Sequence, residues 1–196
     1  MRTPVNMRAI SRVIEASGQM SGDYREHHRL QQQKVQPMKI SEAFTYCGSD
    51  KNTLHHYGPF YDGLVETLRP RTVLEVGVHK GASLRAWRHV GYAVEAIGID
   101  RQRVEGVPMV VATAPDFGPA LSELKGRRFD LIIDDGSHKL TDQLAAVDQL
   151  QQLLEPGGYF VVEDLQGQQA IDAFRMRGWS FFDRRELGRY DDIIAF

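Results

Sequence analysis

Apolar residues in this chain fall in short continuous runs, separated by segments in which they recur every three or four positions. Continuous runs mark strands covered on both faces, and the longer spacing marks helices packed on one face. Seven strands are predicted, over residues 73–77, 96–100, 107–112, 129–134, 159–162, 179–184 and 192–196. Helices are predicted from Ser41 as a cap through Phe44, over 60–68 on Phe60, Leu64 and Leu68, from 82 through Trp87, and over 120–124, 141–154 and 171–176. Pro70 lies just beyond the second of these and stops it, because the residue before a proline avoids helical geometry. Strand and helix alternate throughout, which predicts an α/β fold: a doubly wound, mostly parallel sheet with helices on both faces.

The first forty residues break this rhythm. Met7, Ile10, Val13 and Ile14 would form a short amphipathic helix over 6–16, ending near Gly18, and a helix that short needs a surface to dock on. Residues 21–34 are charged and glutamine-rich, with His27 and His28 adjacent; a solvated linker or a metal or partner site both fit, although nothing nearby completes a ligand set. The expected organisation is a polar arm over 1–40, available for homo-oligomer contacts, and one domain over 41–196.

Composition narrows the classes. With 42% hydrophobic and 26% charged residues, the chain has ordinary globular values. Its 24 basic and 26 acidic side chains give a formal charge of −2, without the broad cationic field that nucleic-acid backbones attract. Cys47 is the single cysteine, which excludes an internal disulfide and suits a reducing compartment. No apolar run reaches membrane-spanning length, so the expectation is a soluble, cytoplasmic protein.

Candidate chemistry gathers where strands end, which is where open α/β sheets bind ligands. Val73-Leu74-Glu75-Val76-Gly77 runs into a turn that continues to Gly81 before a helix; glycines there admit a ligand close to the backbone. The next strand ends in Asp100, an acid suited to ribose hydroxyls. Together these suggest an adenosine-bearing ligand, with the Ala114-Pro115-Asp116 loop beside the adenine. The dinucleotide fingerprint G-x-G-x-x-G is not met, since Gly77 and Gly81 are separated by three residues, so NAD is disfavoured. The fourth strand ends in Asp134-Asp135-Gly136-Ser137-His138, and the fifth in Glu163-Asp164. Before the first strand, the cluster His55-His56-Tyr57-Gly58-Pro59-Phe60-Tyr61 reads equally as core packing or as the wall of a binding site.

Taken together, Val73 to Gly77, Asp100, the Asp-Asp-Gly-Ser-His run and the segment from Gly157-Gly158 to Glu163-Asp164 resemble a class I S-adenosylmethionine-dependent methyltransferase. They are most similar to the metal-dependent sugar O-methyltransferases of macrolide biosynthesis, of macrocin and mycinamicin type, and to cephalosporin hydroxylase-like proteins. Ser49-Asp50-Lys51 with residues 55–61 also looks like the segment ahead of the first strand in that group. The resemblance implies a Rossmann-like domain binding S-adenosylmethionine at Glu75, Gly77, Gly81, Asp100, Asp116 and Asp134. It implies a magnesium or other divalent ion held by Asp135, Glu163 and Asp164, and His138 as general base. Oxygen ligands suit magnesium, and an imidazole suits proton removal near neutral pH. The expected acceptor is a small molecule carrying a hydroxyl, a sugar or polyol.

Other readings stay open for these residues. Asp135 and Asp164 could cap the following helices, His138 could be a surface histidine, and Asp134 could cap a helix or meet the methionine amine. His79 and Lys80 are expected to face solvent. The group carries a sizeable insertion after the Glu-Asp pair, whereas here Leu165-Gln166-Gly167-Gln168-Gln169 leads straight to the next helix, which suggests an acceptor site that is open, or closed by the polar amino-terminal arm or a second subunit, and no separate specificity domain. The competing function is a non-catalytic binding or structural module on the same fold; a complete set of Asp135, His138, Glu163 and Asp164 favours the enzyme.

Overall fold

The structure, a computed structural model, describes residues 38–187 and 189–196. The expected helix over 6–16, the paired histidines and the rest of the arm lie outside the described residues up to position 37.

Among the described residues, three helices precede the sheet: α1 (Ile40–Cys47), α2 (Asp50–Thr53) and α3 (Gly58–Leu68). The sheet strands are β1 (Thr72–Val76), β2 (Glu95–Asp100), β3 (Met109–Val111), β4 (Phe129–Asp134), β5 (Leu154–Val162), β6 (Phe181–Asp183) and β7 (Ile193–Ala195). Between them run α4 (Ala82–Ala86), α5 (Gly118–Glu123), α6 (Leu140–Leu150) and α7 (Gly167–Met176). Strand order is β3-β2-β1-β4-β5-β7-β6. All pairings are parallel except those of β7, which runs against both β5 and β6.

Because strand side chains alternate between faces, the buried runs divide into two cores. Val73, Leu131, Ile133, Val161 and Ile194 pack with Ile40, Phe44, Tyr61 and Trp87 on the face covered by α1, α3 and α4. Leu74, Val76, Ile132, Phe160 and Val162 pack with Ala120, Ala146, Leu150, Ile171 and Phe174 on the face covered by α5, α6 and α7. Each fully buried aliphatic or aromatic side chain contributes about 1.5–3 kcal/mol of transfer free energy, so both faces are needed to hold the sheet.

Several elements depart from the sequence expectation. Ser41 does not cap α1, which starts one residue earlier; its N–H and Oγ instead donate to the Asp62 carboxylate at 3.0 and 2.8 Å, tying α1 to α3. The helix expected to reach 154 ends at Leu150 and passes through a single 3₁₀ turn, Gln151–Leu153. Strand β5 then begins at Leu154, ahead of the Pro156-Gly157-Gly158 turn, and takes it in. A Cβ at Gly158 would lie 2.6 Å from the Asp130 carbonyl oxygen, and the β4–β5 register shifts at this point. The antiparallel course of β7 puts its start, rather than its end, at the carboxyl edge of the parallel strands, which delivers Asp191 and Asp192 there.

Candidate active site

Strand order reverses beside β1, where β2 and β4 flank it, and the crevice above that point is a cavity of about 760 Å³. A volume of this order holds a nucleoside-sized ligand with a second small molecule. Its walls come from the ends of β1, β2, β4 and β5, the loop after β3, and α2.

The loop after β1 is fixed by close approach. Gly77 has φ +85°, and a Cβ there would sit 2.0 Å from the Asp135 carbonyl oxygen, so only glycine lets the β1 loop lie against the end of β4. Asp100 binds the same loop from the other side: its carboxylate accepts from the N–H groups of Val78 (2.8 Å) and His79 (3.3 Å) while remaining half-buried in the cavity wall. Gly81 takes φ +75° at the start of α4 and does not itself line the cavity; its neighbours Lys80 and Ala82 do. Asp116 turns back onto its own loop, accepting from Gly118 N–H at 2.9 Å, and it is Thr113, Ala114 and Phe117 of that loop that reach the cavity.

Two other acids lie beneath the cavity floor. Glu75 is fully buried and accepts from Ser83 Oγ at 2.6 Å, and burial pushes its carboxyl above the usual range. Asp134 is also buried; burial pushes its carboxyl up to about 7, although Gly136 N–H donates to Oδ1 at 3.2 Å, and Oδ2 finds no partner among the described residues.

A second group of cavity residues comes from β4, β5 and the helices ahead of β1. Asp135, His138 and Asp164 each bring one possible ligand atom to within 4.8 Å of the others. His138 Nε2 is 4.0 Å from Asp164 Oδ2, and its buried Nδ1 has no hydrogen-bond partner among the described residues. Three cavity-lining residues with side chains, His79, His138 and Asp164, take left-handed backbone geometry (φ 48°, 60° and 55°), a strain that concentrates at functional sites.

Asp164 also accepts from the Tyr57 hydroxyl (2.6 Å) and lies 3.3 Å from His55 Nδ1. Burial would raise its pKa, but these hydrogen bonds outweigh burial and hold it below the usual carboxylate range. His55 Nδ1 pairs at 2.8 Å with Asp192, brought in by β7. Burial acts to lower the His55 pKa, but Asp164 and Asp192 raise it to about 9.

Glu163 is almost wholly buried and is engaged by the Tyr61 hydroxyl and by Lys51 Nζ at 2.8 and 2.9 Å. Burial pushes its carboxyl up to about 8 against the pull of Lys51. Of the expected metal ligands, Asp135 and Asp164 therefore meet with His138 at the cavity edge, while Glu163 lines the cavity with its oxygens turned to a lysine and a tyrosine. Two carboxylates with a third adjoining offer the oxygen donors that a hard divalent cation takes, and the His138 imidazole stands beside them.

Sequence reasoning takes Ser49-Asp50-Lys51 only for its resemblance and assigns no role to Lys51, His55, Tyr57, Tyr61 or Asp192. The histidine and aromatic cluster turns out to serve both purposes weighed for it. Tyr57 and Tyr61 are core residues with no exposed surface whose hydroxyls reach the site carboxylates.

A family model described as a methyltransferase domain matches residues 40–192. Over 137 residues the chain is 38% identical to the 8-demethyl-8-α-L-rhamnosyl tetracenomycin-C 2′-O-methyltransferase of Streptomyces olivaceus, covering 61% of this chain and 35% of that protein. It is 33% identical over 129 residues to the demethylmacrocin O-methyltransferase of Streptomyces fradiae, covering 58% and 32%. The chain thus spans about a third of the length of these curated relatives. Among solved structures, the MycE methyltransferase of the mycinamycin biosynthetic pathway, in complex with Mg and SAH, superposes with a TM-score of 0.63 at 21% identity over 82% of this chain and 55% of that one. The alternation of strands, the seven-stranded sheet with one reversed strand and the family match over 40–192 lead to one conclusion: this chain belongs to the methyltransferase domain family.

Proposed function

We infer that the protein transfers a methyl group from S-adenosylmethionine to a hydroxyl of a small molecule, a sugar or polyol, with help from a divalent cation such as Mg2+. The observation that carries this reading is the meeting of Asp135, Asp164 and His138 at one edge of the cavity whose other wall is the Gly77 loop clasped by Asp100. Relatives named as O-methyltransferases acting on rhamnosyl and macrolide compounds support the choice of acceptor, and a neighbour solved with Mg and SAH supports the two cofactors.

When bound, S-adenosylmethionine supplies an electrophilic methyl group, and the cation makes the acceptor hydroxyl more acidic. The chain's residues do the rest. Asp100 and the loop from Gly77 would hold the adenosine end, and Thr113, Ala114 and Phe117 would offer a wall for the base. Asp135 and Asp164 hold the cation, with Glu163 as the third carboxylate beside them. His138 takes the hydroxyl proton at Nε2, and Asp164 next to it steadies the resulting imidazolium. The cytoplasm, where the methyl donor is made, is the compartment this reading requires.

The test is transfer of labelled methyl from S-adenosylmethionine to a panel of rhamnosylated and other glycosylated acceptors, with Mg2+ and with excess chelator. Label appearing on a sugar oxygen only with Mg2+ is expected. Transfer undiminished in chelator would overturn the cation's part, and tight binding of NAD with none of the methyl donor would overturn the whole reading.

A further inference from the structure

Lys51 lines this cavity, and nothing in the reaction described above uses it. Its residue surface is 1% exposed, yet its ammonium touches carboxylates from three strands: Asp135 after β4 (2.5 Å), Glu163 after β5 (2.8 Å) and Glu75 of β1 (3.3 Å). A buried ammonium is costly unless paired, and here three acids pair with it. The backbone beneath it is fixed as well. Lys51 N–H donates to Ser49 Oγ at 3.4 Å, its carbonyl accepts from Tyr57 N–H at 2.7 Å, and the neighbouring Asn52 donates to Thr45 Oγ1 at 2.9 Å. The side chain is therefore aimed from a rigid helical turn into the space between strand ends.

Asp135 belongs both to this cluster and to the group of Asp135, His138 and Asp164 that can hold a cation. An incoming divalent ion at Asp135 meets an ammonium already on the same carboxylate. We propose that Lys51 is a positioning residue acting as a built-in counter-ion: it holds Asp135 and Glu163 in place and competes with the divalent cation for them, keeping that cation loosely held. This rests on the cation reading above. Like charges sharing one carboxylate weaken each other's binding by Coulomb repulsion, and in a partly buried site the penalty is large. A lysine that only fastened the helices to the sheet would behave differently, because its loss would loosen the carboxylates and weaken cation binding.

The 196-residue protein is titrated with Mn2+, followed by electron paramagnetic resonance, as wild type, Lys51→Met and Lys51→Arg. Lys51→Met should bind Mn2+ at least about tenfold more tightly than wild type, and Mg2+ should recover more of its melting temperature than it does for wild type. Lys51→Arg, which keeps the charge, should bind within about threefold of wild type. Should Lys51→Met not fold, the Lys51 Cε–Nζ signal of lysine-labelled wild type is followed by NMR. That signal should move along with Mg2+ saturation, and a signal unmoved at saturation would overturn the proposal. Equal or weaker Mn2+ binding by Lys51→Met would overturn the counter-ion role and leave the cation reading intact, whereas wild type that binds no Mn2+ would overturn the cation reading and the proposal with it.

Discussion

Replacing Tyr61 by phenylalanine isolates one hydrogen bond at the base of the site. The ring has no exposed surface and stacks edge-on against Phe44 at 5.3 Å and Trp87 at 6.4 Å between centroids, contacts that a phenyl ring keeps. What is lost is the hydroxyl donated to Glu163 Oε1, an oxygen that then relies on Lys51 alone. Hydrogen bonds to charged groups contribute about 1.5–3 kcal/mol, and burial of the acceptor places this one toward the upper end. For a domain of this size that corresponds to a fall in melting temperature of roughly 3–12 °C. Urea unfolding in chelator, with wild type and Tyr61→Phe both at about pH 9, where the raised Glu163 carboxyl is ionised, measures it directly. The slope with denaturant should not change, because the same surface unfolds. A loss below about 0.5 kcal/mol would show that Glu163 gains nothing from the tyrosine and that its contacts are packing alone.

Three further outcomes are expected. Asp100→Ala should weaken binding of S-adenosylhomocysteine several-fold in calorimetry, because the Val78 and His79 N–H groups lose the acceptor that shapes the loop; unchanged affinity would remove Asp100 from the site. His138→Ala should lower turnover on the best sugar acceptor by about a hundredfold or more while leaving S-adenosylhomocysteine affinity unchanged, with a residual rate that rises with pH; undiminished turnover would place the base elsewhere. Stability should fall as pH rises from about 5 to about 9. In the folded state burial raises Asp134 to about 7 and Glu163 to about 8, so both hold protons that the unfolded chain has released, and His55, raised to about 9 against its own burial by Asp164 and Asp192, keeps its charge to higher pH than it would unfolded. All three favour the protonated folded state, and urea midpoints that rise over that range would contradict these assignments.

The strands were legible in the sequence because burial on both faces leaves a continuous apolar run, as in Leu131 to Ile133. The carboxyl-edge location of Asp100, Asp135, His138 and Asp164 follows from the same runs, since a residue just past a parallel strand has few other places to go. Direction within that edge was not legible. Nothing local distinguishes Asp135, which faces the cavity, from Asp134 and Glu75, which face the interior, or shows that Asp116 turns back onto its own loop. Strand polarity is equally silent, so the reversal of β7 and the arrival of Asp192 beside His55 were out of reach. Lys51 was the least visible. It enters the sequence reading only through the resemblance of Ser49-Asp50-Lys51, with no role of its own, because its burial depends on partners far away in the chain.

That distance bears on how the molecule assembles. Lys51 meets Asp135 and Glu163 across 84 and 112 residues of sequence, so its charge can be compensated only after β1, β4 and β5 have docked beneath α2. A chain stalled before that step carries the acids without their cation and the cation without its acids. Closing long loops is slow in proportion to the entropy lost, and contacts of this range are expected among the last to form. The ligand-binding edge would then also be where folding finishes, and only a correctly completed sheet would present it.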